Sequence, residues 1–253
     1  MAKQSGLFPL EGTLGNTTFV RTKRGGFYAK WKTSLTKEKM AANANYARLR
    51  EQNSEFGRSK IASKLLRNTL LPIIGTINDS GMTNRLDTLM LKAAQLDATS
   101  PLGLRNVLDG ELALLQGFEF SGNGSFLTNF QPEYQVNYNR STGSVVVSIE
   151  PFVPLNALTV PPTATHFKLS MLTASINFET GVTEKKLAAT EQLPVNQVET
   201  DPINLAAQIA AAATDPVFIA MRIDFSILRN NLVYPLLNNA FNCCAIVLVD
   251  TGV

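Results

Sequence analysis

The chain has 253 residues, 45% of them hydrophobic and 17% charged, with one histidine and a formal net charge of +3. That length buries a substantial core, in one large domain or in a small one and a medium one, while the charged fraction falls below the quarter usual for soluble domains. One histidine and two adjacent cysteines cannot build the usual zinc shell, and HExxH, CxxC, GxSxG and phosphate-loop motifs do not occur, which removes the common metalloenzyme, hydrolase and nucleotide-binding classes.

The opening MAKQSGLFPLEG lacks the apolar stretch of a signal peptide, and no eighteen-residue apolar run follows. A cytoplasmic location without membrane insertion is therefore expected, compatible with release as an assembled particle. The stretch FVRTKRGGFYAKWK, Phe19 to Lys32, carries Arg21, Lys23, Arg24, Lys30 and Lys32 among aromatic rings and holds no acid. Thr17 to Val20 and Phe27 to Trp31 read as hairpin strands, with Gly25-Gly26 supplying the positive φ of a tight turn. Strand alternation sets Phe27, Ala29 and Trp31 against Tyr28, Lys30 and Lys32, so one ring set is expected to face a core.

From Thr36, a candidate N-cap, KEKMAANANYARLREQ reads as a helix to about Gln52. Asn53-Ser54 is expected to interrupt it. SEFGRSKIASKLLRNTLLP opens a second helix, closed by Pro72, with Phe56, Ala62, Leu65, Leu66, Thr69 and Leu70 on its apolar face and Arg58, Lys60, Lys64 and Arg67 on the flank or opposite. A third helix is expected from Thr83 to Leu96, burying Leu86, Leu89, Met90, Ala93 and Leu96. After Gly117 the pattern alternates: EFSGNGSFLTNF, EYQVNYNRSTGSVVVSIEPF, THFKLSMLTASINFET, KKLAATEQLPV, DPVFIAMRIDFSIL and CCAIVLVD read as seven to nine strands. Crossover helices have no room except in the alanine run Leu205 to Ala213, which excludes parallel βαβ winding. The expected fold is α+β: an N-terminal β-hairpin and helices packed beside an antiparallel β-sandwich, with a basic hairpin and helical region at 1–116 and the sandwich domain at 117–253.

Chemistry finds little purchase. His166 lies in a strand opposite Phe167, where a surface or packing role is the ordinary one. Glu179, Glu184, Glu191 and Glu199 flank turns, with no spacing that favours a glycosidase pair. Asp79, Asp87 and Asp97 are too far apart for a calcium loop. Cys243 and Cys244, adjacent in a strand, point to opposite faces and act as packing residues. No catalytic residue, metal site or cofactor is expected, and the protein reads as a non-enzyme.

The charge is distributed unevenly. Residues 1–70 hold fourteen basic and four acidic residues, and the remaining 183 hold nine basic and sixteen acidic, so a balance of +10 faces one of −7. Such asymmetry suits nucleic acid, or copies of the chain packing basic part against acidic part. The second helix lacks a helix-turn-helix partner and scatters its cations, which disfavours groove reading.

The segments GLFPLEGTLGNTTFVRTKRGGFYAK, SEFGRSKIASKLLRNTL, MTNRLDTLMLKAAQLD and YPLLNNAFNCCAIVLV together resemble a family of proteins from Bacteroidetes-type bacteria, with SEFGR the most specific piece. The resemblance covers both ends of the chain and most of residues 5–115. It departs at Cys243-Cys244, where relatives carry a single small residue. It extends to a cytoplasmic fibril or tubule subunit of gliding bacteria, and it implies self-assembly without bringing catalytic residues. The expectation is a structural subunit that forms a fibril, tubule or other homo-oligomer. Copies of itself are the first partner and nucleic acid is the alternative, with a carbohydrate-binding sandwich third. Arg21, Lys23, Arg24, Lys30, Lys32, Arg58, Lys60, Lys64 and Arg67 are the candidate assembly-interface or polyanion contacts.

Overall fold

The helical and alternating patterns resolve into β1 (Ala2–Lys3), β2 (Gly12–Leu14), β3 (Thr17–Arg21), β4 (Phe27–Trp31), α1 (Lys37–Ala42), α2 (Ala47–Thr69), α3 (Leu71–Ile74), α4 (Met82–Gln95), α5 (Phe126–Asn129), β5 (Tyr134–Asn139), β6 (Ser144–Ile149), α6 (Pro154–Ala157), β7 (His166–Ile176), β8 (Thr183–Ala189), β9 (Leu193–Pro194), β10 (Ile203–Gln208), β11 (Val217–Arg229), β12 (Leu232–Pro235) and β13 (Cys243–Asp250). These come from a computed structural model that describes residues 2–4, 10–22, 26–32, 35–238 and 240–252. The chain forms two compact units, Met1–Arg50 and Glu51–Val253. The fold is mixed α+β, and every strand pairing among the described residues is antiparallel.

The helical break falls ten residues earlier than the pattern suggests. Thr36 does cap α1, accepting from the Lys39 N–H at 3.3 Å, but the helix stops at Asn43, which is extended (φ −95°, ψ 126°) and accepts from the Asn45 N–H at 2.9 Å. The Arg50 guanidinium donates to the carbonyls of Met40 at 2.7 Å and Asn43 at 3.0 Å, satisfying groups that the end of α1 leaves open. Asn43 thus has a local hydrogen-bonding alternative to the helix. Asn53 and Ser54 lie inside α2, where each costs only a few tenths of a kcal/mol in propensity (~0.5). The segment EFSGNGSFLTNF is another departure: it forms α5 rather than a strand, and the rings of Phe126 and Phe130, one helical turn apart, stack at 5.3 Å. The alanine run opens as β10.

In the unit Glu51–Val253, β12-β11-β7-β8 run side by side, with β13 also beside β11 and β9 also beside β7. A second sheet, β10-β6-β5, has three strands. β11 pairs with β7 from Val217↔Ser175 to Ser226↔His166 and with β13 from Val217↔Asp250 to Ile223↔Cys243, with a bulge between Ile219 and Ala220. Alternation then sorts side chains into two cores. Phe167, Leu169, Met171, Val217, Ile219, Met221, Cys243 and Ala245 pack with Val145, Val147, Ile149, Ile203 and Leu205 of the three-stranded sheet. Leu172, Ala174, Ile176, Phe218, Ala220, Cys244 and Ile246 pack with Leu66, Leu70, Ile73, Leu86 and Met90 from the helices. The six-stranded sheet is therefore a partition covered on both faces, by helices and by a smaller sheet.

Of the expected helix faces, Ala62, Leu66, Thr69 and Leu70 are buried and Leu65 is partly so, but Phe56 is exposed and Glu55 takes the inward place. Its carboxylate accepts from the Gly103 N–H at 2.8 Å. On α4, Leu86, Met90 and Ala93 are buried, Leu89 is half-buried and Leu96 is exposed. Ser63 donates to Asp87 at 2.6 Å between the two helices. Arg222, buried on β11, donates to the Ile73 carbonyl at 2.5 Å and to Thr76 and Asp224, fixing α3 on the sheet. Gly110 is a close approach: a Cβ there would lie 2.2 Å from the Ala93 carbonyl oxygen.

Asp97 closes the loop after α4, accepting from the N–H groups of Thr99, Ser100 and Asn106 at 2.8, 2.9 and 3.1 Å. The Ser100 N–H, with further donors from Ser100, Asn106 and Thr99, holds its carboxyl well below the usual 3.8. A lowered carboxyl stabilises the fold fully above the ordinary value and loses that contribution as pH falls through the lowered one. Asp97→Asn should therefore reduce Tm at pH 7, with the gap to the unmodified protein closing as the pH is taken below 3.8. Leu66, with no exposed surface, sits where Leu66→Ala should cost about 2–5 kcal/mol in denaturant unfolding. A loss under about 1 kcal/mol would show a core able to collapse around the cavity.

Candidate assembly surface

The N-terminal unit is built on short strands rich in Thr, Val and aromatic residues, which suit a pleated, half-covered surface. They form one antiparallel sheet in the order β1-β4-β3-β2. Gly15, at φ 57°, makes the two-residue connection from β2 to β3. At the other end of the hairpin, Thr22 closes the β3–β4 connection: its N–H donates to the Gly26 carbonyl at 2.8 Å, and its hydroxyl accepts from the Gly26 N–H at 3.1 Å. Gln4 ties the β1 edge to the adjoining chain, with its Oε1 accepting from the Leu10 N–H at 3.0 Å and its Nε2 donating to the Tyr28 carbonyl at 3.3 Å. Lys23, Arg24 and Gly25 lie outside the described residues.

Register decides which side chains share a face. Phe19↔Ala29, Arg21↔Phe27 and Thr17↔Trp31 are direct partners, as are Val20↔Tyr28, Thr18↔Lys30 and Lys3↔Tyr28. One face therefore carries Phe19, Phe27, Trp31 and Leu14, with the Arg21 guanidinium 5.6 Å from the Phe27 ring centre. The opposite face carries Lys3, Lys30, Tyr28, Thr18 and Val20, and Lys32 follows in the same alternation. The separation expected from the strand pattern is present, with Phe19 and Phe27 half-buried rather than packed in a core. Among the described residues of Met1–Arg50 none is buried, and Trp31 and Leu14 are 79% and 75% exposed.

The helix cations behave differently. Arg58 donates to the Leu104 carbonyl at 2.5 Å and lines, with Phe178 and Glu179, a cavity of about 330 Å³. Lys60 stands 3.7 Å from Asp87 and 5.3 Å from the Phe56 ring centre, and Arg67 donates to Thr83 at 2.7 Å. Lys64 is exposed. Three of the four helix cations are thus held by neighbours in their own unit. A further apolar surface, not singled out from the sequence, is the arm formed by the end of β11 and by β12. It turns through Asn230 and Asn231, both at positive φ, and exposes Leu232, Val233 and Tyr234. The Asn-Asn dipeptide between apolar runs was the signal for this hairpin.

The other titratable groups singled out from the sequence take separate local surroundings. His166 is half-buried beside the fully buried Phe167, its Nδ1 2.9 Å from the Thr165 hydroxyl. Asp79 pairs with Arg85 at 2.5 Å, and Glu184 accepts from the Ala210 N–H at 2.9 Å. Glu179, Glu191 and Glu199 are exposed. Among the described residues no group of three His, Cys, Asp or Glu side chains could hold a metal, and no helix is long and apolar enough to cross a membrane. Comparisons with protein-family models, curated proteins and solved structures return no match.

Cys243 and Cys244 enter opposite cores, as alternation requires. Burial pushes the Cys243 thiol up to about 11, against a hydrogen bond from Asn129, and pushes Cys244 higher still. Both should resist a thiol-alkylating reagent at pH 8 in the native protein and react fully in denaturant. Labelling of the native protein at a rate near that of free cysteine would show that the sheet opens around them.

Proposed function

We propose that the protein is a structural subunit that self-assembles into a fibril, tubule or other homo-oligomer, and that the N-terminal sheet is an assembly element. The observation that carries this reading is an amphipathic four-stranded sheet whose aromatic face holds Trp31 and Leu14 exposed and Phe19 and Phe27 half-buried, in a unit where none of the described residues is buried. A sheet normally gains its stability by packing a hydrophobic face against a second layer. The two sheets and helices of Glu51–Val253 serve on this reading as the body of the subunit, an antiparallel sandwich with helices on its outer side. The implied likeness to a bacterial fibril or tubule subunit agrees with the same role.

Magnitudes support an assembly element of modest strength. A covered ring removes roughly 150–250 Å² from water, and with these rings partly covered already, three of them supply roughly 5–10 kcal/mol at about 25 cal/mol per Å². Association costs roughly 4–15 kcal/mol. The rings alone therefore give marginal association, and further contacts must contribute. The nucleic-acid alternative is the weaker reading: Lys3 and Lys30 lie opposite Phe19, Phe27 and Trp31, with Arg21 alone on the ring face and Tyr28 alone on the lysine face, so neither face combines several cations with several stacking rings as single-strand binding does.

Phe19→Ser/Trp31→Ser should leave the circular dichroism of the larger unit intact and weaken self-association at least about tenfold in sedimentation velocity. Limited proteolysis should cut within the first fifty residues in dilute subunits and be suppressed on assembly. Unmodified protein that sediments as a monomer at every concentration would overturn the reading. Oligonucleotide binding whose log affinity falls steeply with log salt, in such a monomer, would put nucleic acid in its place.

A further inference from the structure

The three-stranded sheet has an outer face unlike the rest of the molecule. Its inward residues Val145, Val147, Ile149, Ile203 and Leu205 belong to the core. Outward, register places Gln135, Ser148 and Asn204 in one row and Asn137, Val146 and Ala206 in the next. This patch bears no charge. At one end, just beyond the row Tyr134, Ile149 and Ile203, stand Glu133, Glu150 and Asp201, all exposed. The segments 106–139, 141–167 and 187–221, which supply these strands and their flanks, contain no lysine or arginine. An uncharged β-face with an acidic rim is thus present on a chain whose N-terminal sheet carries the exposed Lys3, Lys30 and Lys32 on one face.

We propose that the lysine face of the N-terminal sheet docks on the outer face of the three-stranded sheet of a second copy, with Lys3, Lys30 and Lys32 meeting Glu133, Glu150 and Asp201. The proposal rests on the self-assembly reading and names the surface and partner that complete it. Charge complementarity selects the occupant: the lysine face suits an anionic partner, and this chain carries an acidic rim at the end of the sheet opposite Arg140, the cation that follows β5 and is paired with Asp250. The two surfaces match in kind, since each is built from strands of no more than five or six residues, roughly 17–20 Å long. Uncharged polar side chains on the receiving face can be covered without desolvating a charge, and the rim charges set encounter and register. Because the two surfaces differ, the contact is heterologous and repeats from copy to copy, closing into a ring or running on as a filament.

Reciprocal charge reversal on the full chain tests the docking. E133K/E150K/D201K makes both surfaces basic, and K3E/K30E/K32E makes both acidic. Each variant alone should associate at least about tenfold more weakly than the unmodified protein in sedimentation velocity, with native circular dichroism. Their equimolar mixture should assemble again, because every lysine face then meets an opposite charge. The milder E133Q/E150Q/D201N should weaken assembly less and flatten its salt dependence, and it stands in if the reversed variant misfolds. Assembly of E133K/E150K/D201K at the unmodified concentration, or a mixture that stays dispersed, would overturn the docking. If Phe19→Ser/Trp31→Ser disrupts assembly while both charge-reversed variants assemble normally, self-association stands and this interface falls. An unmodified protein that never assembles removes both.

Discussion

Everything in Glu51–Val253 depends on β7 and β11 being covered on both faces. An antiparallel sheet commonly leaves one face to water, but here ten successive pairs from Val217↔Ser175 to Ser226↔His166 separate two apolar cores. That double burial explains why these strands read as near-continuous hydrophobic runs. It also explains why the two cysteines, though adjacent, have unrelated surroundings. The Asn129 amide donates to the Cys243 sulfur at 3.1 Å, while Cys244 lies in the core that the helices cover. The buried Arg222 guanidinium fastens α3 to β11 through both terminal nitrogens, whereas its Nε and the Thr173 hydroxyl of β7 are buried without a hydrogen-bond partner. Removing either the helices or the smaller sheet would expose a full apolar face, so neither layer is dispensable to the other.

The N-terminal sheet obeys the same alternation without the second layer. Its strands pair in a defined register, yet among the described residues of the unit none is buried, and Phe19 and Phe27 stand half-buried beside the exposed Trp31 on one face. The contrast bears directly on function. The larger unit buries both faces of its central strands and exposes apolar side chains on the β12 arm, while the smaller one exposes Trp31 and Leu14 on one sheet face, and surfaces of that kind mark a protein contact more often than a chemical site. The cations follow the same division. Lys60, Arg67 and Arg58 of α2 are held by Asp87, Thr83 and the Leu104 carbonyl, whereas Lys3, Lys30 and Lys32 project from a sheet face. Counting basic residues over 1–70 as one patch therefore merges two groups with different surroundings.

Several parts of this were legible from residues alone because they depend on local chemistry. The β3–β4 hairpin follows from β-branched and aromatic runs on either side of a glycine pair. The Thr36 cap follows from a hydroxyl placed before a helical period. The opposed cysteines follow from period-two geometry. Other parts were not legible because two local signals competed. Asn43 and Asn53 are chemically the same. One ends a helix because the Arg50 guanidinium is in reach of the carbonyls that the break leaves open, and the other is carried through because helical neighbours continue on both sides. EFSGNGSFLTNF alternates like a strand, but Phe126 and Phe130 are worth more stacked on one helical turn inside the aromatic cluster with Tyr134 and Phe152.

By itself the sequence determined the antiparallel character, the helix-rich stretch before Gly117, the lack of a recognisable catalytic motif and the asymmetry of charge, since each depends on composition or on spacing along the chain. Tertiary structure alone decided which residues became neighbours. It brought Val217 to Ser175 and set Ile149 between Tyr134 and Ile203, it placed Lys30 across from Thr18 and Phe19 across from Ala29, and it covered both faces of the six-stranded sheet. Strand register and layer stacking join residues far apart in the chain, and that pairing is set by which apolar faces can cover one another, a property of the whole fold that no local window contains.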